Sequence, residues 1–289
     1  MELRLLTYFL AIAEEGAFIR AAEVLHISQP ALTQQMHSLE EELGVTLFER
    51  TKNGITLTEE GILLKKYAAD ILTLASKAKE DVSGLSEHMH GEIFIGSAES
   101  SGFQKIADMI KQYNEQYPHV KFHIVSGDLQ DLEEQIINGT LDLALIMGQP
   151  DEKRFRYRSL PESDYFGVLM RKDDALAEKT KISPKDLKDK PLIIPRQQLQ
   201  TGLIRTLFRC HEDALNIRAD FNLFQNAHML VEAGIGYAIT FDQTGRLSSG
   251  SPLTFIPFTP KITRTANIIW KDSAVQSRHV KAFIDLLIE

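Results

Sequence analysis

The chain has 289 residues, of which 43% are hydrophobic and 25% charged, proportions that are ordinary for a globular protein of about two domains. Its formal net charge of −8 argues against attraction of the whole molecule to nucleic acid, so any such contact must be local. No apolar run approaches the ~20 residues that span a bilayer, and the acidic N-terminal stretch does not resemble a secretory signal. These features predict a cytoplasmic protein with no membrane partner.

The cysteine and histidine residues limit the chemistry that is available. Cys210 is the only cysteine, which excludes an internal disulfide and a thiolate metal cluster, while its own reactivity stays open. His88 and His90 form the closest histidine pair, but no acidic or cysteine partner lies at ligand spacing, which favours a solvated linker over a metal site. We therefore expect no metal and no cofactor.

The stretch at residues 28–43 predicts a helix with two different faces. Ser28 is a good N-cap, and Pro30 falls in the first turn, where its missing N–H has no intrahelical partner to lose. One face, which we expect to hold the helix to its own domain, carries Leu32, Met36, Leu39 and Leu43. A second face carries Pro30, Thr33, Gln34 and His37, and the acidic run at residues 40–42 is expected to point away from it.

A second short helix is predicted immediately upstream, at residues 18–25. Its small residues Ala21 and Ala22 permit close approach of another helix, and the connection to Ser28 is very short. Two helices joined this tightly predict a helix-turn-helix, and an outward Gln suits DNA because it pairs bidentately with adenine. An ordinary helical hairpin with a solvated face remains the alternative, since residues 1–58 contain four basic and eight acidic residues.

Residues 59–87 predict one long helix suited to dimerisation. This segment has no proline, and glycine occurs only near its ends. A 3-4 alternation of apolar residues, interrupted by Asp81, runs through Leu57, Leu64, Tyr67, Ile71, Leu74, Ala78 and Leu85. The alternative is a helix that packs on its own domain.

From Gly91 onward the pattern changes to that of an α/β domain. Apolar β-like runs such as EIFIG, KFHIV and LDLALI alternate with helical segments. This alternation predicts a largely parallel sheet.

Residues 21–61 contain a set of motifs at fixed spacing. They are Ala21-Ala22, Leu25, Ser28-Gln29-Pro30-Ala31, Gln34, Leu39-Glu40, Leu43-Gly44, Leu47-Phe48-x-Arg50 and Leu57-Thr58-x-x-Gly61. With these motifs the chain strongly resembles the LysR-type transcriptional regulators, and the resemblance continues more weakly after Gly91. It implies a sequence-specific DNA-binding transcriptional regulator that responds to a small-molecule effector and has no catalytic residues.

For residues 1–58 the resemblance implies a winged helix-turn-helix, with helices at about 3–14, 18–25 and 28–43 and a two-stranded wing at 46–58. Asn53-Gly54 is a strong signal for the hairpin turn of that wing. The family often has Ser where this chain has Thr33 and Ala17; Thr33 keeps the hydroxyl, whereas Ala17 is expected to lose a helix cap. Contacts to a double-stranded DNA operator are expected from Ser28, Gln29, Pro30, Thr33, Gln34, His37, Arg50 and Lys52.

The implied fold class is α+β multidomain. A linker or dimerisation helix at 59–87 precedes a C-terminal α/β effector-binding domain at 91–289, similar to periplasmic solute-binding proteins and made of two subdomains. Subdomain I is expected at about 91–161 and 266–289, and subdomain II at about 162–265. The family also implies a homodimer, further assembly into a homotetramer, and contact with RNA polymerase.

Two other functions fit the sequence less well. A solute-binding or enzymatic α/β module would need an export signal, a GxSxG elbow or a phosphate-binding GxxxxGK[ST] loop, and none is seen. A nucleoid-like architectural DNA binder conflicts with the acidic charge and the second domain.

The effector is expected in the cleft between the subdomains, at the carboxyl ends of strands. The resemblance places there Ser100, Ser101, Asp128, Met147, Gly148, Gln200, Thr201 and Gly202, and also Gln225 and Asn226 on a crossing segment. Glu99 and Asp128 would repel a plain anion, with Arg196 offsetting one of them. The hypothesis is an effector with an amine or several hydroxyls, such as an amino acid or a sugar derivative.

Overall fold

The computed structural model describes residues 1–51, 54–83, 91–242, 247–248, 250–272 and 277–288, without the side chains of residues 50, 51, 80–83, 162 and 200. The chain divides into two compact units, Met1–Glu87 and His88–Glu289. None of the helices within the described ranges combines the length and the apolar character of a membrane span. Within the same ranges, no three His, Cys, Asp or Glu side chains come together as a metal site; His88 and His90 lie outside them.

The first unit is helical, with a small two-stranded wing. Its elements are α1 (Leu3–Glu15), α2 (Phe18–Val24), α3 (Gln29–Leu43), β1 (Phe48–Thr51), β2 (Gly54–Leu57) and α4 (Glu59–Ser83). The core forms where the apolar faces of these helices meet, and it includes Leu6, Phe9, Ile12, Leu32, Met36 and Leu39. The remainder of the predicted long helix, at 84–87, lies outside the described residues.

Two glycines allow the wing to pack closely against the helices. Gly16, between α1 and α2, has a φ of +64°, and its carbonyl accepts a hydrogen bond from the N–H of Ile55 in β2 at 3.1 Å. A Cβ on Gly61, in the first turn of α4, would lie 2.2 Å from the carbonyl oxygen of Leu47. The base of the wing is therefore held on one side by the α1–α2 turn and on the other by α4.

The second unit is built on a mixed sheet with helices on its faces. Its strands are β3 (Gly91–Ser97), β4 (Val120–Ser126), β5 (Leu143–Met147), β6 (Arg156–Arg171), β7 (Leu192–Pro195), β8 (Ile217–Phe221), β9 (Tyr237–Phe241), β10 (Leu253–Pro257) and β11 (Thr263–Trp270). Its α-helices are α5 (Phe103–Gln116), α6 (Leu129–Asn138), α7 (Arg196–Gln200), α8 (Leu203–Phe208), α9 (Phe224–Glu232) and α10 (Arg278–Ile288).

The strand order is β4-β3-β5-β11-β6-β9-β7-β8, with β10 paired to β6 outside this path. Strands β4, β3 and β5 are parallel, and so are β8, β7 and β9. The sheet, predicted to be largely parallel, therefore contains two groups of parallel strands. They are separated by β11 and β6, which pair antiparallel to their neighbours because they carry the chain between the groups.

Each parallel group has its own apolar cores and forms one subdomain. In subdomain I, α5 and α10 cover one face, with Ile95, Ile106 and Phe283 in the core. In subdomain II, a separate core contains Val168, Ile194 and Ile239. Strand β6 passes from one subdomain to the other, since it pairs with β11 over 156–165 and with β9 and β10 over 166–171. The side chain of Phe241 packs against both cores.

Candidate functional site

Helix α3 begins at its own local signals. Ser28 is the N-cap, and its hydroxyl accepts a hydrogen bond from the N–H of Ala31 at 3.4 Å. Pro30 stands in the first turn, and the N–H of Leu32 makes the first intrahelical bond, to the Ser28 carbonyl at 3.0 Å. Gly44 ends the helix with a φ of +71°. The start, the proline and the stop of this helix thus all lie within a short run of sequence.

The two faces of α3 have different surroundings. Leu32, Met36 and Leu39 are fully buried in the core of the first unit. Leu43, the fourth predicted member of that face, is 39% exposed, so the expectation that it anchors the helix was wrong. It is the last residue before the Gly44 cap and lies beyond the core. On the outward side, Pro30, Gln34 and His37 are exposed, as are Ser28 and Gln29, while Thr33 is half-buried.

A groove of about 470 Å³ lies beside this outward face, between α3, the start of α2 and the wing. Gln29, Thr33 and His37 line it, whereas Ser28, Pro30 and Gln34 do not. The Gln29 amide donates a hydrogen bond to the Thr33 hydroxyl at 2.9 Å. The sequence interpretation did not include the other lining residues, namely Gly16, Ala17, Phe18, Ile19, Met36, Glu40, Thr46, Phe48, Gly54 and Ile55.

Some charged side chains around the groove form contacts within the first unit. The Glu40 carboxylate accepts a hydrogen bond from the N–H of Leu47 at 2.7 Å and lies 3.7 Å from His37 Nδ1. For Glu40, the expectation that the acidic run points away was therefore wrong, because its carboxylate fixes the start of the wing. The N-terminal ammonium of Met1 contacts Glu42. The side chain of Arg50, and Lys52 altogether, lie outside the described residues.

The predicted dimerisation residues of α4 divide into two groups. Leu64 and Ile71 are half-buried and pack against the core of the first unit. Tyr67 (54%) and Leu74 (48%) are exposed, as is Ala78, while Leu85 lies outside the described residues. Two neighbours that the sequence interpretation omitted, Ile62 and Leu63, are also exposed, at 62% and 57%.

In the second unit, a cavity of about 70 Å³ lies between the two subdomains. Subdomain I contributes residues at the carboxyl ends of β3, β4 and β5, namely Ala98, Glu99, Gly127, Asp128 and Met147. Subdomain II contributes residues at the ends of β7, β8 and β9 and at the start of α9, namely Pro195, Arg196, Gln197, Gln198, Phe221, Asn222, Phe224, Thr240 and Phe241. Carboxyl ends of parallel strands are where ligands bind in α/β sheets.

Among the predicted effector residues, the structure places Asp128 and Met147 in the cavity wall, together with Glu99 and Arg196. Ser100 is buried, and its hydroxyl accepts a hydrogen bond from the N–H of Gly102 at 3.0 Å. The N–H and the hydroxyl of Ser101 both donate to Asp164, the N–H at 3.1 Å. These serines therefore shape the loop after β3 from outside the cavity lining.

The remaining predicted residues lie outside this cavity. Gly148 lines a different groove, of about 500 Å³, beside β11. Gln200 and Thr201 are at the end of α7, with Gly202 before α8. Gln225 and Asn226 are exposed in the first turn of α9; placing them on a crossing segment was wrong, because β6 and β11 are the strands that cross.

The charged groups of the cavity are bonded to protein atoms. The Glu99 carboxylate accepts a hydrogen bond from the N–H of Phe224. Asp128 caps α6, accepting from the N–H of Asp131 at 3.1 Å. Arg196 Nε donates to Asp220 at 2.8 Å. The cation proposed to offset the acids therefore already has an acidic partner, and two carboxylates face the space in the cavity.

Family models match nearly the whole chain. The model described as "Bacterial regulatory helix-turn-helix protein, lysR family" matches residues 3–62, and the model described as "LysR substrate binding domain" matches residues 86–289. The chain belongs to the LysR family. This LysR-family protein is thus a DNA-binding transcriptional regulator with an effector-binding domain, and it is not an enzyme.

Curated relatives and solved structures agree with this assignment. The LysR-family chain is 30% identical over 292 residues to the HTH-type transcriptional regulator BudR of Raoultella terrigena, covering 99% of this chain and 100% of BudR. It is 30% identical over 239 residues to AlsR of Bacillus subtilis (strain 168), covering 82% and 79%. The crystal structure of CbnR, a LysR family transcriptional regulator, has a TM-score of 0.72 at 20% identity, covering 100% of this chain and 98% of that one. The fold class predicted from the sequence is confirmed.

Proposed function

We propose that this regulator binds its operator through the outward face of α3 and the wing, and that a small effector bound between the two subdomains controls the outcome. The observation that carries the proposal is the contrast between the faces of α3. On its apolar side Leu32, Met36 and Leu39 are fully buried, while Gln29, Gln34 and His37 are exposed on the other side, beside a groove bounded by the wing.

The exposed side chains of α3 have the chemistry for base recognition in the major groove. The amides of Gln29 and Gln34 can pair with adenine, and Thr33 and His37 supply further donors and acceptors. Because residues 1–58 are net acidic, few cations are available for phosphate contacts. We assign these contacts to Arg50, Lys52 and Arg20, whose exposed guanidinium lies 3.5 Å from the Glu15 carboxylate, together with hydroxyls and backbone N–H groups at helix starts. Operator affinity should therefore be modest for a single unit.

Dimerisation through α4 would raise that affinity by doubling the recognition helices. The exposed apolar residues Ile62, Leu63, Tyr67 and Leu74 support this role, because such a stripe favours a partner helix. A solved structure shows full-length CbnR in complex with its target DNA, at a TM-score of 0.70 and 20% identity. We propose a homodimer that assembles further into a homotetramer, acts in the cytoplasm, contacts RNA polymerase and recognises a partly palindromic site.

The effector would act by changing the balance between open and closed arrangements of the two subdomains. A ligand shifts such a balance only through contacts that differ between the two arrangements. The cavity offers such contacts because both subdomains contribute to its wall. Its present volume of about 70 Å³ accommodates only a few water molecules, which favours a compact effector over a sugar derivative.

Footprinting on the DNA upstream of the coding region tests the proposal. We expect a protected site with two half-sites, whose extent changes when a metabolite fraction from the same cells is added. An absence of protection at moderate salt, with and without metabolites, would contradict the regulator mechanism. Light scattering of the same samples measures the oligomeric state, and a monomer at footprinting concentrations would contradict the role of α4.

A further inference from the structure

The N-terminus of α9 has no cap from its own segment. Leu223 occupies the N-cap position and makes no side-chain hydrogen bond there. The first N–H groups of any helix have no intrahelical partner and need an acceptor from elsewhere. The N–H of Asn226 uses the Leu223 carbonyl at 3.1 Å, and the N–H of Phe224 needs a further acceptor.

That acceptor comes from the opposite wall of the cavity. The Glu99 carboxylate accepts the hydrogen bond of the Phe224 N–H, although the two residues are 125 positions apart. Glu99 follows β3 in subdomain I, whereas Phe224 begins α9 in subdomain II. A negative charge is also favoured at a helix N-terminus by the helix dipole. This one carboxylate therefore connects the two subdomains at the effector cavity.

The loop that carries Glu99 is fixed on both sides. Before it, the N–H of Ala98 donates to the carbonyl of Leu145 in β5 at 2.9 Å. After it, Ser101 donates to Asp164 on the crossing strand β6. Glu99 thus projects from a fixed position in subdomain I and can meet α9 only when the subdomains are close together.

We propose that the Glu99 carboxylate is a fixed negative charge of the effector cavity. It caps α9 across the cavity, holds the subdomains together before the effector arrives, and restricts the effector to small neutral or cationic molecules. This inference rests on the proposed effector role of the cavity. Glu99 is then a specificity-determining residue as well as a connection between the subdomains.

The restriction follows from what each kind of effector would meet. An effector carboxylate would have to displace Glu99 from α9 and would also face Asp128 in the same cavity. An amine or a hydroxyl donates hydrogen bonds to these carboxylates and leaves the cap of α9 in place. Such an effector adds contacts to the closed arrangement and increases its population.

Hydrogen–deuterium exchange of the full-length Glu99→Ala variant, read by mass spectrometry, tests the cap. We expect the amides at 224–226 to exchange about tenfold faster than in the wild type, as expected for a lost helix cap. Thermal unfolding and far-UV circular dichroism establish that the variant is folded. Unchanged exchange at 224–226 in a folded variant would overturn the proposal.

Two further variants separate the cap from other effects. Asp128→Asn removes the other carboxylate of the cavity but keeps a cap for α6, since Asn caps as well as Asp. It should leave α9 exchange at the wild-type rate, and acceleration equal to that of Glu99→Ala would overturn the proposal. Glu99→Gln keeps one acceptor oxygen, so intermediate exchange is expected. Should the alanine variant not fold, faster exchange in Glu99→Gln supports the proposal and unchanged exchange overturns it.

Rescue with formate tests whether α9 takes an anion at this place. Formate can occupy the position vacated in Glu99→Ala and should slow exchange at 224–226 toward the wild-type rate, whereas uncharged formamide should not. In the wild type, formate should have no effect, because Glu99 holds the position. Absence of rescue, or equal protection of the wild type by formate, would overturn the proposal. Exchange is measured without DNA, so its result is independent of the footprint that tests the regulator mechanism.

Discussion

Helices α3 and α9 both begin at a functional surface, but their first turns are stabilised in different ways. The first turn of α3 is capped by its own neighbour, Ser28, at 3.4 Å. The first turn of α9 has Leu223 at that position and takes its acceptor from Glu99, in the other subdomain. The first turn of a locally capped helix is stabilised independently of how the rest of the chain is arranged. A helix capped from another subdomain depends on the arrangement of the two subdomains.

This difference suits the two proposed roles. A DNA-reading helix needs a fixed face, and α3 obtains one from a local cap and a buried apolar side. A helix that responds to an effector needs two states of similar free energy, and a single carboxylate across a cavity supplies a contact present in one state only. Two predictions test the fixed face of α3, and a third tests the packing beside α9, from the largest expected effect to the smallest.

Met36→Ala should abolish the fixed face of α3. Met36 is 1% exposed in the core of the first unit, and truncation of such a side chain lowers the free energy of unfolding by about 2–5 kcal/mol. Urea unfolding followed by circular dichroism should show this loss together with weaker operator binding. Leu43→Ala is the matched control, because Leu43 is 39% exposed and should change stability by under about 0.5 kcal/mol. Equal losses from both variants would contradict the packing of α3 described above.

Gln34→Ala should keep the fold and lose base discrimination. An exposed amide that pairs with a base contributes about 1–3 kcal/mol of discrimination at that position. Binding titrations on an operator and on single-base variants should show the loss at particular base pairs. Lys52→Ala, by contrast, should weaken all sequences similarly and reduce the salt dependence. If both variants weaken every sequence equally, α3 is not the helix that reads bases.

Tyr165→Phe should give a smaller, pH-dependent effect in the second unit only. The Tyr165 hydroxyl donates to Asp242 at 2.7 Å, and this hydrogen bond, with burial, raises the pKa of Tyr165 to about 12. Folding thus favours the neutral phenol. The contribution of its hydrogen bond to stability is complete below pH ~10, the pKa of the unfolded state, and is lost as the pH rises toward about 12. At pH 8 the variant should be less stable by about 1 kcal/mol.

The difference between wild type and Tyr165→Phe should shrink above pH ~10. Denaturant unfolding at several pH values measures this difference in the free energy of unfolding. Hydrogen exchange assigns each unfolding transition to one of the two units. Tyr157→Phe gives a graded comparison: its hydrogen bond to Glu152 also raises the pKa of Tyr157, but the side chain is 40% exposed, so its difference should be smaller and should shrink with pH in the same direction. A difference that grows with pH would show that the sign of the linkage is wrong.

The sequence predicted α3 well because everything that defines it is local. Its cap, its proline, its buried residues and its stop lie between Ser28 and Gly44, and helical spacing relates them directly. Two details were misjudged: Leu43 lies beyond the core, and the Glu40 carboxylate turns to the start of the wing. The wing and α4 followed from the same local motifs, together with the family resemblance.

The cavity was harder to predict because its wall comes from six strand ends spread along the chain. Asp128 and Met147 could be named because each lies at the carboxyl end of a recognisable strand. Thr240 and Phe241 end a strand just as clearly, in GYAITF, and that signal was missed. The partner of Glu99 could not be found from sequence, because nothing near Leu223 indicates that α9 takes its cap from 125 residues upstream.

One exchange experiment tests the contrast between the two helices most directly. Amide exchange is measured at the first turns of α3 and α9 in the same full-length samples of wild type, Ser28→Ala and Glu99→Ala. We expect Ser28→Ala to accelerate exchange at Ala31 in α3 and leave α9 unchanged, and Glu99→Ala to accelerate exchange at 224–226 in α9 and leave α3 unchanged. Acceleration of both helices by either variant, or no response of α9 to Glu99→Ala, would contradict the account.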